Sequence, residues 1–155
     1  MSEWKPHITV AAVVEQNGRF LVVEENIEGR IVFNQPAGHV EQGESLIEAV
    51  ARETLEESGR LFTPEALVGA YSWTNPGNDV TYLRFAFTGS VSERDPSRPL
   101  DEGIIDAVWM SRDELLAQPG KLRSPLVMRV IDDYLAGRRF HLDLLHLLHN
   151  EAHDE

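Results

Sequence analysis

The chain has 155 residues and no cysteine, which excludes thiol nucleophiles, disulfides and cysteine-ligated zinc. It also lacks any apolar run long enough to span a bilayer, and its start, MSEWKPH, carries no apolar signal segment. Contact with a membrane is not expected, and a cytoplasmic location is. Positive charge is scarce as well: 14 Lys and Arg stand against 26 Asp and Glu, for a formal net charge of −12. Long polyanions bind mainly through Lys and Arg contacts to phosphate, so a nucleic acid polymer is a poor partner. A small phosphorylated molecule remains possible, because it needs only a local group of cations, a bound metal included.

What is present describes an ordinary soluble fold, with 42% hydrophobic and 26% charged residues. The length suits one domain over residues 1–155, with a core from about 5 to 140 and a tail from 141 to 155. A monomer or a homodimer is expected. His7 to Val14 and Arg19 to Glu24 are rich in β-branched residues and flank Asn17-Gly18, which predicts a hairpin. A short strand follows at Ile31 to Asn34, ended by Pro36. Ala66 to Thr74, Val80 to Thr88 and Ile104 to Met110 read as strands, and Ser111 with Glu114 starts a short helix. Pro125 opens a last helix, roughly Leu126 to Ala136, stopped at Gly137. This mixed order predicts an α/β protein, a sheet covered by helices on both faces.

The densest chemistry lies between Gly38 and Gly59. Ser45 and Glu48 have the spacing of a capping box, and Gly59 suits the left-handed residue that ends a helix. Within that helix Glu53, Glu56 and Glu57 stand at i, i+3 and i+4, so three carboxylates share one side. Like charges at this spacing repel, and a hard divalent cation is a natural neutraliser, because Mg²⁺ takes oxygen ligands and is completed by substrate phosphates. A solvated acidic face is the alternative.

As spacing, the stretch is Gly38, five residues, Glu44, seven residues, Arg52-Glu53, two residues, Glu56-Glu57, one residue, Gly59. This resembles the Nudix box, the signature of hydrolases that cleave nucleoside diphosphates linked to another group. Thr54 and Arg60 stand where the family usually has aliphatic residues. The resemblance implies an α/β/α sandwich around a mixed β-sheet and a Mg²⁺-dependent hydrolase in which Mn²⁺ can substitute. It also implies site roles: Glu53 and Glu57 as metal ligands, Glu56 as a further ligand or the group that orients water, and the Gly38 carbonyl facing the metal. Arg52 holds neighbouring carboxylates, and Glu44 belongs to the shell around the metal.

Further stretches, among them Lys5-Pro6-His7, Asn34 to His39, Leu83-Arg84-Phe85 and Leu122 to Val127, are similar to a bacterial phosphatase branch of that family. Implied substrates are nucleoside tri- and diphosphates and hydroxymethylpyrimidine pyrophosphate, with a nucleoside diphosphate sugar such as ADP-ribose as the alternative. A catalytically silent binding module would be expected to have lost a box carboxylate. A calcium chelator would need an EF-hand loop that is not there.

Other candidates stay open between two readings. Asp101 and Glu102 precede a strand and are either the general base or solvated loop acids. Arg84, between Leu83 and Phe85, is a phosphate clamp or half of a structural ion pair. Trp73 and Phe33 either stack on a substrate ring or belong to the core. Gln35 and His7 are candidates to read ring edges, and Arg123-Ser124 either binds phosphate or caps the last helix. In the tail, His141, His146, His149 and His153 sit among leucines, which favours docking on the body over a zinc site.

Overall fold

The computed structural model describes residues 3–148. Eight strands and three α-helices follow in the order β1 (His7–Val13), β2 (Glu15–Gln16), β3 (Arg19–Ile27), β4 (Arg30–Asn34), β5 (Ala37–His39), α1 (Leu46–Ser58), β6 (Phe62–Thr74), β7 (Thr81–Val91), β8 (Ile104–Ser111), α2 (Arg112–Leu116) and α3 (Leu126–Leu135). One sheet has the order β5-β1-β7-β6 and is mixed, with β1 parallel to β7 and the other pairs antiparallel. A second, antiparallel sheet is built on β3, which pairs with β2, β4 and β8.

Strand alternation sends side chains to opposite faces, and each face finds its own helix. Val10, Ala12, Val14 and Phe87 pack in one cluster with Ala49 and Val50 of α1. Val13, Ala86, Phe20 and Phe33 pack in another with Val127, Val130 and Ile131 of α3. The result is a mixed sheet between helical layers, as the mixed order of elements predicts.

Asn17 (φ 53°) and Gly18 (φ 77°) form the turn with two left-handed residues that suits a tight hairpin. The hairpin is shorter than expected, however. On its first arm Glu15 and Gln16 pair with β3, joined by the Val14 carbonyl accepting from the Leu21 amide, while β1 itself pairs with β5 and β7 in the other sheet. β1 can change partner because all of Val10 to Val14 is buried, so both of its faces have a core to enter. Pro36 ends β4 as expected, but the chain resumes at once as β5, whose residues Ala37 to His39 pair with Ala11 to Thr9.

α1 begins and ends as its sequence demands. Ser45 accepts from the Glu48 amide, the Glu48 side chain accepts from the Ser45 amide, and Gly59 takes φ 71°. Thr54 is fully buried in α1, and its hydroxyl donates to the Val50 carbonyl at 2.7 Å, so a polar residue fits an aliphatic position without an unmet hydrogen bond. Arg60 lays its guanidinium over the Trp109 ring, 5.2 Å from the centroid. The tail does dock: Phe140 exchanges backbone hydrogen bonds with Leu67, and Leu142 and Leu145 pack against the α1-side cluster. His141 and His146 are exposed there, and His149 and His153 lie outside the described residues.

Candidate active site

The carboxylates of α1 are organised by one guanidinium. Arg52 donates through Nε and Nη2 to the two oxygens of Glu44, at 2.7 and 2.9 Å, and through Nη1 to Glu53 at 2.8 Å and Glu56 at 3.1 Å. Its Nη2 also reaches the His39 carbonyl at 3.0 Å. Only a planar fork with fixed donors can meet this many acceptors at once. The Arg52 hydrogen bond holds the Glu44 carboxyl below its ordinary range despite some burial.

Glu53 sits directly over Gly38, so closely that a Cβ there would fall inside its carboxyl group. Burial raises the Glu53 pKa against the pull of Arg52. Glu57 is only 8% exposed and accepts from the Ala37 amide at 2.8 Å. Burial pushes Glu57 up to about 9; the Ala37 bond opposes this, while the charges of Glu25, Glu53 and Asp101 add to it.

Asp101 comes into the same place from the loop before β8, where its amide bonds the Glu56 carbonyl at 3.0 Å. Among the described residues, Glu53, Glu56 and Asp101 bring oxygens within 4.8 Å of one another, which suits a cation that takes several oxygen ligands. Arg52 alone does not balance these charges, since it also serves Glu44. The donor set therefore fits a hard divalent ion.

Beside the cluster lies a cavity of about 550 Å³, walled by Gly38 and Glu57 and extending between the two sheets. A row of paired residues crosses its floor, with His39 opposite Thr9 and Thr9 opposite Arg84. Trp73 and Tyr82 stack at one end, ring centroids 6.1 Å apart. Arg123, Ser124 and Glu102 also line it.

The candidates named from the sequence therefore divide. Gly38, Glu57, Trp73, Arg84, Arg123 and Glu102 border the cavity, while Glu53, Glu56 and Asp101 form the adjoining cluster with Arg52 and Glu44. Phe33 does not reach the cavity: it is core, 6% exposed, in the α3-side cluster. Gln35 is not free to read a ligand either, because its amide donates to the Val127 carbonyl at 2.8 Å and accepts from Arg84. His7 is tied to His39, with ring nitrogens 2.8 Å apart.

The wall also includes residues that are not site candidates from the sequence, among them Glu25, Tyr82 and Asn34. Tyr82 lies two residues before Arg84 on one strand face, a period that would have found it. Glu25 gives no such signal. It follows a register slip against β8, where Glu24 pairs with Asp106 but Glu25 with Ile104, and burial raises its pKa against the nearby Arg123 and Arg84.

A carboxylate-bearing helix packed on Gly38 beside this cavity suits a hydrolase of phosphorylated substrates, and the chain belongs to the Nudix family: the NUDIX domain matches residues 5–130. It is a Nudix hydrolase, of the phosphatase or pyrophosphohydrolase type. The chain is 43% identical over 142 residues to phosphatase NudJ of Escherichia coli (strain K12), spanning 92% of both proteins. It is similar to the structure of a NUDIX hydrolase from Nitrosomonas europaea at 53% identity, with a TM-score of 0.91 over 93% of this chain and 98% of that one. A MutT protein from Methanosarcina mazei Go1 is similar at 26% identity and a TM-score of 0.69, over 89% of this chain and 100% of that one. Nudix hydrolases generally use divalent metals, and no helix among the described residues is long and apolar enough to cross a membrane.

Proposed function

We propose that this enzyme is a Mg²⁺-dependent phosphatase of nucleoside tri- and diphosphates and of hydroxymethylpyrimidine pyrophosphate, acting in the cytoplasm as one catalytic unit. The observation that carries this reading is the placement of the Glu53, Glu56 and Asp101 oxygens beside a cavity that also presents three arginines, Arg30, Arg84 and Arg123, and an aromatic pair. Glu53, Glu56 and Glu57, with the Gly38 carbonyl and Asp101, would hold the ion, and Mn²⁺ would substitute. When bound, the ion supplies positive charge against the phosphate oxygens and helps ionise a water.

The residues of the chain do the rest. Arg52 fixes Glu53, Glu56 and Glu44 in one constellation, which removes reorganisation from the reaction. Trp73 backs a planar ring, with Tyr82 stacked behind it. Of the two loop acids, Asp101 belongs to the cluster and Glu102 lines the cavity, so Glu102 is the group that accepts the proton of the attacking water.

The test is a substrate panel of nucleoside tri- and diphosphates, hydroxymethylpyrimidine pyrophosphate, ADP-ribose and dinucleoside polyphosphates, assayed for orthophosphate against pyrophosphate release. Orthophosphate release from the simple phosphates is the expected outcome. Activity confined to ADP-ribose refutes the reading.

A further inference from the structure

Arg84 is a buried cation held only by neutral groups. It projects from the middle of β7 and is 6% exposed. Its Nη1 donates to Gln35 Oε1 at 3.1 Å and its Nη2 to Asn34 Oδ1 at 3.3 Å. Among the described residues it forms no ion pair; Glu25, the carboxylate whose charge acts on it most, lies 3.6 Å from Arg123 instead. A guanidinium has five N–H donors, so with two spent it retains three, and its buried Nε has no partner at all.

Such an arrangement is costly unless an anion completes it. A structural arginine in a core is ordinarily met by a carboxylate, yet here both contacts are amides, which orient the fork and leave its charge unspent. The orientation is itself built in, since Gln35 is anchored on its other side to the Val127 carbonyl of α3. The unused donors belong to a residue on the cavity wall, with Arg123 on the same wall. Burial lowers the Arg84 pKa to about 10, with Glu25 opposing the fall, so the charge persists at neutral pH.

We infer that Arg84 is a receptor for a phosphate oxyanion of the substrate, separate from the cation-binding carboxylates, and that Gln35 and Asn34 are the positioning residues that keep it unneutralised. The ligand chemistry is a phosphate with two ionised oxygens that meet the fork side by side, as in a terminal phosphate or a diphosphate. The inference rests on the functional reading above and names the part of the substrate that the protein grips without metal.

The experiment is a calorimetric titration of the full chain with inorganic pyrophosphate in EDTA, where no divalent ion contributes. The wild type is expected to bind one pyrophosphate, and Arg84→Met to bind it about 10- to 100-fold more weakly, the range for losing charged hydrogen bonds. Because Arg84→Met removes a buried side chain and can fail to fold, Gln35→Glu decides the matter. It sets a carboxylate against Arg84, so the fold persists, measured by circular dichroism, while pyrophosphate affinity falls by a similar factor. Equal affinity in wild type and Gln35→Glu overturns the inference, as does a wild type that turns over substrate with Mg²⁺ yet binds no pyrophosphate in EDTA. A wild type that binds pyrophosphate but hydrolyses nothing overturns the functional reading alone.

Discussion

Gly38 and Glu53 occupy space that one side chain more would close. The carboxyl of Glu53 lies where a Cβ on residue 38 would be, so the glycine is required by close approach and not by its backbone angles. Gly38→Ala is therefore expected to displace Glu53 and lower kcat about 100-fold, the scale for misplacing a catalytic group by about 1 Å. Steady-state kinetics with saturating Mg²⁺ check this, and an alanine variant with wild-type kcat contradicts it.

Arg52 and Glu44 meet through two parallel hydrogen bonds in a partly buried site. A double-mutant cycle of Arg52→Gln and Glu44→Gln, followed by urea denaturation, is expected to give a coupling energy of about 1 kcal/mol or more. Additive effects would mean that the pair is only a surface contact.

The raised carboxyls predict an unusual dependence of stability on pH. Glu57 is pushed up to about 9 from an ordinary 4.5, and Glu25 and Glu53 are raised as well. Between these values the folded chain keeps protons that the unfolded chain has lost, so stability falls as pH rises from about 5 to about 9. Glu44 is lowered and has the opposite sign, but its contribution is lost only below its ordinary value; His39, lowered by burial, opposes the fall up to its ordinary 6.5, one group against three. Mg²⁺ requires the ionised forms, so its stabilising effect grows over the same range. Tm measured from pH 5 to 9 should decline in EDTA and decline less in Mg²⁺; a Tm in EDTA that climbs with pH contradicts the assignment.

The two loop acids should separate by phenotype. Glu102→Gln is expected to lower kcat about 100-fold or more, the range for losing a general base, with the Mg²⁺ requirement unchanged. Asp101→Asn should instead raise the Mg²⁺ concentration needed for half-maximal rate. Metal titrations of initial rate distinguish them, and exchanged phenotypes would reverse the two roles.

Much of this was legible because the box is local. The cap at Ser45, the helix to Ser58 and the left-handed Gly59 follow from short-range rules, and helical periodicity puts Glu53 near Glu56, whereas Glu57 is taken up by the Ala37 amide and the third oxygen of the cluster comes from Asp101. What escaped is long-range. Neighbouring positions on a strand face opposite ways, so Phe33 enters the core while Asn34 meets the cavity, and composition cannot choose the parity. The departure of β1 from its hairpin and the register slip at Glu25 depend on partners far along the chain, as does the arrival of Asp101 beside Glu56.

The proposed function places the divalent ion used in turnover on the carboxylates of α1. Its most direct test is Mn²⁺ binding, followed by electron paramagnetic resonance, in wild type and in Glu56→Gln and Glu57→Gln, with kcat measured on the same preparations. Both variants are expected to remain folded, each to bind Mn²⁺ at least about tenfold more weakly, and Glu57→Gln to lose metal-dependent turnover, since each substitution removes a charged ligand. Wild-type Mn²⁺ affinity and near-wild-type kcat in Glu57→Gln would contradict it.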